Sequence, residues 1–406
     1  MLALTDLQDF RRMQRWRTAT AKVAMIGAGQ LARMTHQAAT DLDIELRVLA
    51  ASIDDSAVRG GAQYKLGSTS QIADLEAVAT GADVVTFDHE LVPASNLLIL
   101  QQHGHILRPG PTALSFAQDK LKARQALSEA GLPTPAFSPV SSISDVNSFA
   151  EQYGWPLMLK SRRGGYDGRG VHMVQEMGQL TDLLDEGHLL RKESSENSKN
   201  SKNFEFLVEQ FVDIASELSI LVARTPKGEV AVYPAIQTVQ QDGILKFLLM
   251  PAHLPSPVLQ QAREMAVSIA HYINAIGILA VEMFLAHNGR LLINELALRP
   301  HNSGHATIEA CNTSQFHQHL RAILDWPLGS TDMRVPAAAM VNLIGGNSSS
   351  DLHACLPKAL SVPEVAVHLY SKAPRTGRKF GHITATDKST EDALQKAMQA
   401  AECFMR

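Results

Sequence analysis

The sequence predicts an α/β protein in three parts: an N-terminal βαβ domain on a parallel sheet, a larger central α+β domain and a small C-terminal domain. Three observations carry this reading. The chain has 406 residues, more than one ordinary core of ~100–200 residues supports. From Lys22 it runs strand, glycine turn, helix, strand, the opening of a βαβ unit. A junction marked by Gly131, Pro133 and Pro135 follows the first domain, and a smaller α/β segment begins near Thr331. The expected division is an extension over 1–21, then domains over 22–112, 113–330 and 331–406.

In the first domain, KVAMIG and ELRVLAAS are strands around the helix LARMTHQAATDL, with further strands expected at 82–88 and 104–110 and a helix starting near Pro93. LSFAQDKLKARQALSEAGLPTP predicts one helix, capped at Gly131 and stopped by the two prolines. WPLMLKS and VHMVQ are strands joined by the glycine-rich loop RRGGYDGRG. The polar segment 193–203 is a surface loop. Beyond it come the strands FLVEQFV, ELSILVAR and VAVYPAI, a helix near QQAREMAVSIAHYINAIG and a hairpin at His287-Asn288-Gly289. Strands near PAAAMVNLIG and VAVHLYSK complete the last segment.

Composition excludes several classes. With 45% hydrophobic and 19% charged residues, 26 Gly and 18 Pro, the chain is globular rather than disordered or collagenous. A net charge of -4 gives no global field for a nucleic acid, though a local basic pocket stays open. No run reaches the ~18–20 apolar residues of a membrane span. The first twenty residues lack a signal-peptide apolar core and read as a short amphipathic helix or loose extension. Cys311, Cys355 and Cys403 are odd in number and far apart, so neither a disulfide framework nor a metal site is read, and a reducing cytoplasm is expected.

Three features carry chemistry. In GAGQLARM, Gly27, Gly29 and Gln30 form a tight turn under a helix N-terminus whose N–H groups can meet an anion or a sugar hydroxyl. A nicotinamide dinucleotide site is an alternative, but the second strand ends without the acidic residue that such a site expects. Lys160 closes an apolar strand before the glycine loop, so it sets a point charge beside phosphates that the loop can cover. Tyr166, Asp167 and Arg169 among those glycines suggest a lid.

The third feature is geometric. If Asn288-Gly289 is a two-residue type I′ turn, His287 faces Arg290, and counting back sets Glu282 opposite Glu295. Cβ atoms ~4.5–5.5 Å apart would then hold two like charges on one face, an oxygen-only site suited to Mg²⁺ bridging nucleotide phosphates. Alternation adds Arg299 to that face. The polar stretch RPHNSGH that follows, with Arg299, His301, Asn302, Ser303 and His305, is the expected substrate surface.

This ordered set resembles the ATP-grasp superfamily, and within it the N5-carboxyaminoimidazole ribonucleotide synthases of purine biosynthesis. GAGQLARM, TFDHELVP, RPGP, AQDK, GGYDGRGV, ELSILVAR, YPAIQTVQQDGIL, INELALRPHNSGH and YSKAPRTGRKFGHIT stand in the family order. Leu298 departs from the family's usual proline without removing a reactive group. The resemblance implies an ATP-grasp fold and an ATP-dependent carbon–nitrogen ligase. It would carboxylate 5-aminoimidazole ribonucleotide with bicarbonate, through carboxyphosphate, giving ADP and phosphate. ATP would be held by Lys120, Lys160, Glu209 in the adenine hinge and Glu217, and Mg²⁺ by Glu282 and Glu295. The acceptor and bicarbonate side would comprise Tyr166, Asp167, Arg169, Arg299, His301, Asn302, Lys372, Arg378 and Lys379, with Gly29, Gln30 and Glu90 meeting the ribotide from the first domain. Catalysis is expected at Arg299, His301, Asn302 and Asp167. The resemblance also implies a cytoplasmic homodimer handing its product to a separate mutase. A formate-dependent glycinamide ribonucleotide transformylase is the sibling alternative, and an NAD(P)-dependent oxidoreductase the alternative of another class.

Overall fold

A computed structural model describes residues 20–165, 170–185, 206–346 and 351–405. The expected extension, the 193–203 loop and the positions Tyr166, Asp167 and Arg169 lie outside the described residues.

β1 (Lys22–Ile26), β2 (Glu45–Ala50), β3 (Gln63–Leu66) and β4 (Val84–Phe87) form a parallel sheet in the order β3-β2-β1-β4. β4 and most of β1 are buried, which is why they read as unbroken apolar runs. β3 is an exposed edge strand, QYKL, with no such signal. The strand expected at 104–110 shrinks to a single bridge between Val85 and Leu107, since Pro109 has no N–H to extend a ladder.

A second sheet orders β5 (Phe137–Val140), β8 (Phe206–Gln210), β6 (Leu157–Ser161) and β7 (Val171–Val174) antiparallel. β6 and β7 flank the glycine-rich segment as the sequence predicts.

Among the described residues the third sheet has nine strands: β9 (Ile214–Arg224), β10 (Val230–Val232), β11 (Ile236–Gln241), β12 (Ile244–Met250), β13 (Gly277–Ala286), β14 (Leu291–Ala297), β15 (Ala337–Ile344), β16 (Val365–Leu369) and β17 (Lys379–Asp387). Its order is β14-β13-β9-β11-β12-β15-β17-β16, with β10 beside β9. Because β12 pairs with β15, the C-terminal segment continues the central sheet, which fixes its basic turn relative to the carboxylate hairpin.

Where one helix was expected between Leu114 and Ala130 there are two, Pro111–Gln118 and Lys120–Glu129, broken at Asp119 (φ -132°, ψ 101°). The Asp119 carboxylate accepts the Lys122 N–H at 3.2 Å, an N-cap that starts the second helix and makes Lys120 its first residue. The helix Gln315–Ile323 joins the domains: Phe316, Leu320 and Ile323 are buried in one cluster with Val23, Met25, Leu31 and Met34 of the first domain. Each such buried side chain contributes roughly 1.5–3 kcal/mol.

The cysteine reading is corrected. Cys355 and Cys403 form a disulfide with Cα atoms 5.4 Å apart, tying the helix Leu352–Leu360 to the C-terminal turn, while Cys311 is free and buried. A separation of 48 residues hides a pairing that only the tertiary fold creates. Among the described residues no helix is long and apolar enough to cross a membrane.

Candidate active site

The three parts of the chain meet around one cavity of about 1400 Å³, larger than the ~300–1000 Å³ typical of a one-ligand pocket. Among the described residues, nine lysines and arginines line it against seven carboxylates, so a chain of net negative charge turns a cationic interior toward anions.

At its centre lies the β13–β14 hairpin. Glu282 pairs with Glu295 as the sequence count requires, but by a different route. The turn is a three-residue loop: Gly289 N–H donates to Ala286 C=O at 2.8 Å and Gly289 sits at φ +81°, the left-handed position of a three-residue hairpin. That shifts the register by one, and a bulge beside Glu282 and Met283, opposite Asn294, shifts it back. The bulge also leaves Asn294 and Glu295, neighbours in sequence, both lining the cavity, which regular alternation forbids. On the other side Ser219 of β9 pairs with Glu282, and Glu217 with Phe284, so Glu217 joins the carboxylates. Burial, then Glu295 and Glu217, push the Glu282 carboxyl up to about 7. Burial works in the same direction on Glu295, but Lys120, Lys160 and Arg124 together outweigh it and hold Glu295 below the usual range. These clustered oxygen donors, one raised by burial and by its like-charged neighbours, fit a hard divalent cation.

The lysines are already moored. Lys120 Nζ lies 2.6 Å from Glu295 Oε1. Lys160 Nζ lies 2.6 Å from Glu209 Oε2 and donates to Asn294 Oδ1 at 3.2 Å. The Glu209 side chain is 2% exposed and also takes Arg124 Nε at 2.6 Å. Burial alone would raise its pKa, but the two cations hold it at about 2. Its carboxylate therefore braces Lys160, while the segment from Glu209 to Val212 lines the cavity wall. Asp119 takes Arg162 Nε at 2.8 Å and Arg163 Nη2 at 3.0 Å, so the stem of the glycine loop is bound to the helix start that carries Lys120.

From Arg299 the chain turns into the cavity. Arg299 Nε donates to Glu90 Oε2 at 2.7 Å; burial disfavours its charge, but Glu90 raises its pKa on balance. Burial and Arg299 push His301 down to about 3, so its imidazole is neutral. Its Nδ1 lies 2.9 Å from Ser303 Oγ and accepts the Ser303 N–H at 3.3 Å; with Nδ1 as acceptor toward both, the proton sits on Nε2, 3.5 Å from Glu282 Oε1. Among the described residues, Glu90 Oε1 and both amide atoms of Asn302 are buried without a partner, the condition of groups that await a ligand. His305 is different. It is 1% exposed and stacks on His382 at 4.7 Å, so it belongs to the core and not to the expected substrate surface.

The first domain offers side chains more than backbone. Asp88, unmarked in the sequence reading, accepts the Gly29 N–H and, at 3.1 Å, the Ala32 N–H, filling the helix N-terminus expected to meet a ligand. A Cβ on Gly29 would lie 2.6 Å from Asp88 Oδ2, so glycine is required there by the carboxylate. Gln30 lines the cavity and accepts Lys372 Nζ. Lys372, Arg378 and Lys379 all line the same end, on a turn closed by Arg378 N–H to Arg375 C=O at 2.8 Å with Gly377 at φ +73°. The predicted residues in the described part thus converge, with four exceptions: Gly27 and Gly29 do not line the cavity, and Ser303 and His305 are buried behind it. Leu298 is 1% exposed within the core.

Comparison with known proteins gives a consistent picture. A ribonucleotide synthetase preATP-grasp domain matches residues 20–118, an ATP-grasp domain 125–316, and a phosphoribosylaminoimidazole carboxylase C-terminal domain 338–396. The chain is 43% identical over 391 residues to the N5-carboxyaminoimidazole ribonucleotide synthase of Mycobacterium tuberculosis (strain ATCC 25618 / H37Rv), covering 93% of this chain and 86% of that protein. For the Bacillus subtilis (strain 168) synthase the identity is 33%, covering 93% and 94%. Among solved structures, that of the Aspergillus clavatus synthase with ADP and 5-aminoimidazole ribonucleotide superposes with a TM-score of 0.84 at 32% identity, over 95% of this chain and 98% of that one. The Thermotoga maritima enzyme gives 0.80 at 33%, over 95% and 98%.

Proposed function

Because the chain belongs to the N5-carboxyaminoimidazole ribonucleotide synthase family, we propose that the cavity carries out the whole of that chemistry with the residues assembled there. The enzyme is an ATP-dependent ligase of purine biosynthesis that carboxylates 5-aminoimidazole ribonucleotide, drawing the carboxyl group from bicarbonate. The observation that carries the assignment of roles is the pair Glu282 and Glu295 on the cavity wall, with Lys120 and Lys379, from opposite parts of the chain, both acting on Glu282.

Lys120 and Lys160 receive the ATP phosphates, exchanging Glu295 and Asn294 for phosphate oxygens, with Glu217 and the segment at Glu209 on the nucleoside side. Glu282 and Glu295 would hold Mg²⁺, which supplies counter-charge to the phosphoryl group in transfer. Arg299 and the Nε2–H of His301 orient bicarbonate, a weak nucleophile, for in-line attack on the γ-phosphorus. Carboxyphosphate and ADP result, and the mixed anhydride breaks down to CO₂ and phosphate beside the ribotide amine. Excluding water matters at that step, because hydrolysis would release the carbon without a product; Tyr166, Asp167 and Arg169 are assigned to the loop that does so. Lys372, Arg378 and Lys379 grip the ribotide 5′-phosphate, while Glu90, Asn302 and Gln30 meet its remaining polar groups.

The same reading places the enzyme in the cytoplasm as a homodimer, divides it at 22–112, 113–330 and 331–406, and requires a separate mutase to move the carboxyl group from nitrogen to carbon. The test is ADP release in four mixtures, each ribotide (5-aminoimidazole or glycinamide) with bicarbonate or formate. Only 5-aminoimidazole ribonucleotide with bicarbonate should give stoichiometric product; turnover of glycinamide ribonucleotide with formate instead would replace this reading by the transformylase.

A further inference from the structure

The segment 299–305 delivers Arg299, His301 and Asn302 to the cavity through irregular backbone, whose peptide groups have no strand ladder to satisfy them. One distant side chain substitutes for the ladder. Gln315, 0% exposed, accepts the His301 N–H on Oε1 at 2.8 Å and donates Nε2 to the His301 C=O at 2.7 Å. A planar amide bonded to both peptide groups of one residue fixes its position and its tilt together. The clamp is itself braced. The Gln315 N–H donates to Thr307 Oγ1 at 2.9 Å, and that hydroxyl donates to the Gly304 C=O at 2.6 Å. A Cβ on Gly304 would collide with Gln315 Oε1, so the loop leaves room for the amide. Gln315 also begins the helix whose Phe316, Leu320 and Ile323 sit in the core shared with the first domain, which anchors the clamp where the domains meet.

We propose that Gln315 is a positioning residue for carboxyl transfer: its carboxamide holds the His301 backbone so that Arg299, His301 and Asn302 face the bicarbonate and the ribotide together. The proposal rests on the functional reading above. Lys120 and Lys160 reach the cavity from other elements, so the clamp governs the acceptor side and leaves the nucleotide side alone.

The same helix provides a matched control. Gln318, also 0% exposed, accepts the Gly329 N–H at 2.9 Å and donates to the Gly329 C=O at 2.8 Å, and neither Gln318 nor Gly329 lines the cavity. Gln315→Met and Gln318→Met therefore each delete one buried two-point clamp at nearly constant volume. The experiment measures thermal midpoint, the KM values for ATP and for 5-aminoimidazole ribonucleotide, and product formed per ADP released. Both variants should lose similar thermal stability. Gln315→Met alone should raise the ribotide KM about fivefold or more and at least halve the product per ADP, with the ATP KM within about twofold of wild type. Equal ribotide KM and equal coupling in the two variants overturn the proposal. If Gln315→Met does not fold, Gln315→Glu, which keeps the acceptor for the His301 N–H and loses the donor to its C=O, is judged by the same criterion. Wild-type protein that forms no product overturns the functional reading itself, and the proposal with it.

Discussion

Glu209→Gln is the substitution whose effect follows most directly from the structure. The wild-type carboxylate, 2% exposed, bridges Arg124 and Lys160 at 2.6 Å each, and those partners are 4% and 9% exposed. Burial would raise its pKa from the ordinary 4.5, yet the two cations hold it at about 2. With a tenfold change worth ~1.4 kcal/mol, that difference corresponds to on the order of 3 kcal/mol of stability at neutral pH. Breaking a buried pair by removing one partner costs about 3–5 kcal/mol, so the two routes agree. The depressed pKa fixes the sign. The contribution is fully present above 4.5 and is lost as the pH falls toward 2, so the gap between wild type and Glu209→Gln should close across that window. Urea unfolding at neutral and acidic pH reads it. The ATP KM should also rise, because Lys160 loses its brace. A variant within about 1 kcal/mol of wild type at pH 7, or a gap that stays constant down to pH 2, would refute the reasoning.

Three further substitutions divide the site. Glu295→Gln should lower Mg²⁺-dependent ATP turnover by about 100-fold or more with little change in the urea midpoint; near-normal turnover would remove Glu295 from the metal pair. Arg378→Ala should raise the ribotide KM about tenfold, ~1.4 kcal/mol, and leave the ATP KM unchanged; the opposite pattern would mean the two phosphate ends are exchanged. Gly29→Ala drives a Cβ into Asp88 and should destabilise the protein by ~1–3 kcal/mol, which a thermal midpoint equal to wild type would contradict.

The fold class and most of the site were legible because they depend on local patterns. Apolar runs mark β1, β4 and β13, and a basic cluster in a negatively charged chain marks the turn at Lys372 to Lys379. The hairpin was legible by compensation: a two-residue turn and a regular ladder predict the same Glu282–Glu295 pair as the observed three-residue turn plus bulge. The bulge itself had no signal beyond the polar pair Asn294-Glu295 inside an apolar strand, and that pair, read as an interruption of alternation, would have pointed to Asn294. Other departures arise from contacts distant in sequence. The helix breaks at Asp119 because that carboxylate is claimed by Arg162 and Arg163. The helix after Gly29 offers no free N-terminus because Asp88 comes from another strand to cap it. Gln315 and Cys355 acquire their roles from partners 14 and 48 residues away, and neither has a local pattern to announce it.

In the proposed reaction bicarbonate attacks ATP in this cavity, and its carbon then passes to the ribotide amine. Bicarbonate labelled with ¹⁸O tests it most directly, since attack by a bicarbonate oxygen on the γ-phosphorus leaves that oxygen on the phosphate released. With ATP, Mg²⁺ and 5-aminoimidazole ribonucleotide present, the predicted result is one bicarbonate-derived oxygen in each phosphate, matched by one carboxylated ribotide. Phosphate that carries its new oxygen from solvent water, with unlabelled carbon chemistry proceeding alongside, would contradict it.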